Sequence, residues 1–180
     1  MLKAFLVAIS MSFFLSLSGG AKAQETAVMV TIAGKISMTN RGPRDDFHDA
    51  FHVYHGKTFD RAFSLNHELL GFLPQKAVRV DSVNWPGPVM VEGPLLSDVL
   101  KSAGASGKAI SVTALDGYEV EFSAEELAAR DWILAIRADE KPLAIGGRGP
   151  AWVVYETGDR KASEEEEAKW VWSVFYIDVK

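Results

Sequence analysis

The chain has 180 residues, 48% of them hydrophobic and 24% charged, which excludes a disordered, collagen-like or multi-pass membrane protein. Its 19 lysines and arginines face 24 aspartates and glutamates, a formal charge of −5, so the basic footprint of a nucleic-acid binder is missing. No cysteine is present, which removes disulfides, thiolate catalysis, zinc–cysteine sites, iron–sulfur clusters and c-type haem attachment.

The first segment, 1–23, reads as a cleavable signal peptide. Lys3 gives it a charged start, 4–17 is an apolar run, and Ala21-Lys22-Ala23 fits a small-x-small cleavage site. The run is shorter than the roughly 17–25 residues of a membrane anchor. The expectation is therefore a mature chain of one domain, 24–180, starting at Gln24 in a bacterial periplasm. Without cysteine, that domain must rely on its core.

The mature chain reads as short strands with a few helices. Residues 27–36 (AVMVTIAGKI) are β-branched and strand-like, and 38–43 (MTNRGP) form a loop. Phe47, Phe51 and Tyr54 recur at helical spacing, predicting a helix over 45–54 with those rings buried. Ser64 is placed to cap a helix within 63–73. A strand follows over 77–83, broken by Trp85-Pro86-Gly87-Pro88. Segment 94–102 (PLLSDVLKS) starts with proline and has Gly104 just past its end, a helix signature.

Strands are predicted over 109–115 and 118–122, joined as a hairpin at Asp116-Gly117. Ser123 and Glu126 form a capping box for a short helix to Arg130. Further strands are predicted at 132–138, 151–155 and 171–179. The acidic run 164–167 reads as a solvated face. His48, His52 and His55 fall at i, i+4 and i+7, so a helix would align them, but the HExxH form is missing and wet surface histidines are expected. No serine sits in a GxSxG elbow.

Four segments in order, EGPLLSDVLKSAGA, ISVTALDGYEVEFSAEEL, WILAIRADEKPLAIGGRGPAWVVYE and KWVWSVFYIDV, resemble the molybdopterin-binding domain of the sulfite oxidase family. The resemblance covers about 31–179. It implies an α+β fold, a β-rich mixed-sheet domain with a pterin cleft at its loop ends. Sulfite oxidases hold molybdenum through one cysteine thiolate; the matching stretch here is Val80-Asp81-Ser82-Val83-Asn84-Trp85. A neutral hydroxyl is a poor substitute for a soft thiolate, so no metal is expected, and Ser82 and Asn84 are expected as polar pocket walls.

The chain looks closest to small cysteine-less periplasmic members of that superfamily. Some of these bind free reduced pterins and regulate a membrane enzyme of cyclic-di-GMP metabolism. The resemblance thus implies a non-catalytic pterin sensor whose partner is the periplasmic domain of a membrane signalling enzyme. It favours a free reduced pterin over molybdopterin; the alternative is a molybdopterin-dependent oxidoreductase or its accessory subunit. A flat pterin needs stacking faces and polar groups for its edge. The expected contacts are Trp85, Tyr118, Trp170 and Trp172 for stacking, and Asn40, Arg41, Ser82, Asn84 and Arg148 for polar contact. Trp152 is expected in the core, and Asp116 in the hairpin turn. As a loop residue, Arg148 is expected to contribute little to thermal stability.

Overall fold

The computed structural model describes residues 27–180, so the expected signal peptide lies outside the described residues. The chain enters as β1 (Val28–Gly34), which pairs antiparallel with β2 (Phe63–Asn66) and parallel with the last strand. Its Val30 and Ile32 face the main core, while Thr31 and Ala33 are buried beneath the 41–62 segment on the opposite face. Burial on both faces explains why this strand reads as an almost unbroken apolar run.

Within 41–62, the predicted ten-residue helix shrinks to α1 (Ala50–Tyr54). The Asp45 carboxylate accepts the N–H groups of Phe47 and His48, holding that stretch in a turn. The helix also faces the other way from its aromatic pattern. His52 is the buried member, with ring centroids 5.2–5.7 Å from Phe59, Phe175 and Tyr176, while Phe47 and Tyr54 are 85% and 82% exposed. Helical spacing identified a shared face and could not tell which face the sheet would cover. The three histidines do not converge: His48 contacts Asp45, His52 faces Asp49, and His55 reaches the carbonyl of Leu115.

The helix expected over 63–73 begins later. Residues 63–66 complete the edge strand β2, and Asn66, not Ser64, caps α2 (His67–Phe72) by accepting from the Leu69 N–H. Next come β3 (Gln75–Val80) and β4 (Val89–Pro94), an antiparallel pair whose second strand the Pro/Gly loop concealed. Gly93 is required there: a Cβ would lie 2.1 Å from the carbonyl oxygen of Leu134. Helix α3 (Leu96–Ser102) ends in a Schellman motif, with Gly104 at φ 68° and the N–H groups of Gly104 and Ala105 bonded to Lys101 and Leu100.

The hairpin of β5 (Ile110–Ala114) and β6 (Glu119–Phe122) forms as the sequence predicts, followed by α4 (Ala124–Ala128) with its Ser123–Glu126 capping box. Then come β7 (Trp132–Ala135), β8 (Arg137–Ala138), β9 (Lys141–Pro142), β10 (Trp152–Tyr155), α5 (Glu164–Glu167) and β11 (Val174–Val179). Among the described residues three sheets result: a mixed five-stranded sheet in the order β2-β1-β11-β5-β6, an antiparallel four-stranded sheet β3-β4-β8-β9, and the pair β10-β7. This is an α+β architecture dominated by strands. One core joins all three sheets through residues such as Ile177, Val91, Ile133 and Trp152. The loops after β3, β5 and β9 and the α5 segment gather around Trp170 and Trp172.

Candidate functional site

A cleft of about 540 Å³ opens where these loops meet. Its lining comprises Asn84 from the loop after β3, Ala114, Asp116 and Tyr118 from the β5–β6 hairpin, Glu164, Glu167 and Ala168 from α5 and its end, and Trp170 and Trp172. Three carboxylates and one amide therefore line it, with two indoles and a phenol, and no cation.

Each wall is fixed locally. The Asp116 carboxylate accepts the Tyr118 N–H at 2.9 Å, as a residue opening a tight turn does. The Tyr118 hydroxyl in turn donates to the Ala168 carbonyl at 2.5 Å, joining the hairpin to the α5 segment. Ser163 and Glu166 form a capping box that starts α5. Glu166 turns away from the cleft to Arg160 and the Tyr155 hydroxyl; the Arg160 bonds, aided by the Ser163 N–H and Tyr155, hold its carboxyl down at about 2. Glu167 turns inward. Its carboxylate accepts from the Ser82 hydroxyl and, at 2.8 Å, from the Trp85 indole N–H.

Ser82 and Trp85 therefore belong to the site differently from the expectation. Both are buried, at 0% and 7% exposure, and neither lines the cleft; they stand behind Glu167 and position its carboxylate. Trp85 packs against Trp152 and Trp170, with centroids 5.4 and 5.5 Å away. Trp152 is fully buried, as its strand pattern predicted.

Arg148 is packed more firmly than a loop arginine was expected to be. Its guanidinium carbon lies 4.2 Å from the Trp172 ring centroid, 4.8 Å from Trp85 and 5.4 Å from Trp152. Its carbonyl accepts the Ser173 N–H, which ties the GGRGP loop to the residue after Trp172. Burial pushes its guanidinium below the usual value, and the Glu167 carboxylate opposes that shift. Arg148 stiffens the indole wall and offsets the charge of Glu167.

Asn40 and Arg41 do not join the cleft. Asn40 is occupied by the backbone of Ser64, accepting its N–H at 2.7 Å and donating to its carbonyl at 2.8 Å. Arg41 is paired with Asp49 at 2.5 Å and lies over Phe59, on the side of the sheet that α1 covers. These two residues secure the 41–62 segment, a role that the Asn-Arg-Gly loop signal could not distinguish from ligand contact.

Of the nine expected residues, Asn84, Tyr118, Trp170 and Trp172 line the cleft. Sequence reasoning missed Glu164 and Glu167, because a run of four glutamates reads as solvated surface. Glu165 fits that reading and is exposed, while Glu164 and Glu167, one turn apart, share the face toward the cleft. The capping box Ser163–Glu166 was the available signal, since it makes the run helical and so gives it an inner face.

Whether this donor set suits a metal–pterin cofactor can be tested on its chemistry. Ser82, the residue that the resemblance sets at the thiolate's position, is a buried neutral hydroxyl already donating to a carboxylate, which does not suit a soft metal. Three carboxylates in the lining also oppose a phosphate-bearing ligand. A flat, uncharged heterocycle with N–H donors along one edge fits the rings and acceptors present.

No protein-family model matches the chain, and no curated protein matches it either. Among solved structures it is similar to the sulfane dehydrogenase SoxCD from Paracoccus pantotrophus, with a TM-score of 0.54 and 17% sequence identity over 84% of this chain. This chain spans 38% of the length of that one. The likeness is one of fold.

Proposed function

We propose that this protein is a periplasmic receptor for a free reduced pterin, without catalytic activity of its own, that reports occupancy to the periplasmic domain of a membrane cyclic-di-GMP enzyme. The observation that carries the pterin reading is the cleft itself: rings for stacking, carboxylates for a donor edge, and Ser82 committed to Glu167 where a metal-holding thiolate would stand. The motif order of the sulfite oxidase domain supports it, and so does the likeness of fold to the sulfane dehydrogenase SoxCD. The signalling partner rests on the resemblance alone.

In this reading Trp172 offers the stacking surface with buried Trp170 at the floor, Tyr118 closes one side, and Asp116, Glu164 and Asn84 meet the pyrimidine edge. A carboxylate beside the ring's amino and amide N–H groups accepts two parallel bonds, each charge-assisted. Arg148 supports the indoles from behind.

The alternative is a molybdopterin-dependent oxidoreductase or its accessory subunit, favoured by the enzymatic neighbour. Titration calorimetry with tetrahydrobiopterin, beside elemental analysis of protein purified from periplasm, separates the two. The receptor predicts micromolar or tighter pterin binding, weaker binding of dihydroneopterin triphosphate, and no stoichiometric molybdenum. Stoichiometric molybdenum would overturn it.

A further inference from the structure

The α5 segment forms one wall of the cleft and is attached to the rest of the domain by polar contacts. Between Ala162 and Trp170, both buried in the core, none of the residues 163–169 is buried. The segment is held by polar contacts at its two sides. Inward, Glu167 accepts from Ser82 and Trp85, and the Ala168 carbonyl accepts from Tyr118. Outward, Glu166 takes Tyr155 and Arg160, and Lys169 reaches Glu126 at 2.9 Å. A stretch held by hydrogen bonds, without buried apolar side chains, opens at lower free energy than the sheets around it.

We propose that 163–169 is a strap that closes on the ligand, with Glu167 as the positioning residue that latches it; this rests on the pterin reading. Glu164, Glu167 and Ala168 lie on the strap side of the cleft, while Asn84, Asp116 and Trp170 lie outside the strap. A ligand in the cleft touches both and cross-links them. A carboxylate offers about four lone-pair sites, and Ser82 and Trp85 engage one oxygen each. Glu167 can therefore accept a ligand N–H and keep both existing partners. Binding adds bonds to the strap instead of replacing them, so occupancy tightens it. The ligand signal becomes a change in strap order at the protein surface.

Hydrogen–deuterium exchange on the whole mature protein, with and without tetrahydrobiopterin, reads this directly. The amides of 163–169 are expected to slow at least fivefold on binding, with β5 and β11 unchanged. The Glu167→Gln variant keeps the shape and removes one acceptor oxygen. It is expected to bind at least tenfold more weakly, to exchange faster in the free strap, and to shift tryptophan emission as the carboxylate charge beside Trp85 is lost. Glu165→Gln, on the exposed side of the same segment, is expected to match wild type in all three readouts. Pterin bound at full occupancy with unchanged strap exchange would overturn the strap and leave the receptor standing. Wild-type affinity and exchange in Glu167→Gln, or equal losses in Glu165→Gln, would overturn the latch. Failure of tetrahydrobiopterin to bind at all would overturn the receptor and the strap together.

Discussion

Replacing Arg148 with alanine tests how the indole wall is built. The guanidinium stacks closest on Trp172, at 4.2 Å, and on Trp85, at 4.8 Å, while its stem is half-buried between them. A cation over an indole contributes about 0.5–1 kcal/mol when exposed and about 2 kcal/mol when desolvated. Two near faces at intermediate burial, less the cost of removing the guanidinium from water, leave roughly 2 kcal/mol. In a domain of this size 1 kcal/mol moves the thermal midpoint by about 2–4 °C. The expected fall for Arg148→Ala is therefore about 4–8 °C at pH 7. Scanning calorimetry measures it, with tryptophan emission as a check that the wall has loosened. Arg148→Lys keeps the charge and loses the planar stacking surface, so its midpoint is expected between the two. A midpoint for Arg148→Ala within about 1 °C of wild type would refute the stacking account.

Burial works to raise the Glu119 carboxyl, but hydrogen bonds from Lys57, Ser111 and Thr113 outweigh it and hold it at about 2. Stability from this group is complete above its unfolded value near 4.5 and is lost as pH falls toward about 2, so Glu119→Gln should flatten that part of a urea-midpoint curve. Burial among Phe59, Phe175 and Tyr176 pushes His52 below its usual 6.5, partly opposed by Asp49. The unfolded chain then binds the proton first, stability declines as pH drops below about 6.5, and His52→Gln should remove that decline in thermal melts. Gly93→Ala drives a methyl group into the Leu134 carbonyl, 2.1 Å from the new Cβ, and is expected to cost about 3 kcal/mol or more in chemical denaturation.

Local rules set much of this molecule from the sequence alone. The Asp116-Gly117 hairpin, the Ser123–Glu126 capping box, the Gly104 helix end and the strand at Trp152 all follow from spacings of a few residues, because their governing hydrogen bonds and dihedral preferences span only a few residues. Motif order pointed to the cleft loops, and Asn84, Tyr118, Trp170 and Trp172 do meet there. The rest required tertiary structure. The aromatic pattern of α1 could not say that His52, and not Phe47, would lie against the sheet, since that depends on strands far along the chain. Asn40 and Arg41 carry the right chemistry for a ligand, yet Ser64 and Asp49 claim them. Glu167 looked like solvated charge until the fold brought Ser82 and Trp85, more than 80 residues earlier, to its two oxygens. A side chain's partner across such distances is set by how whole elements pack, and short-range pattern carries no record of it.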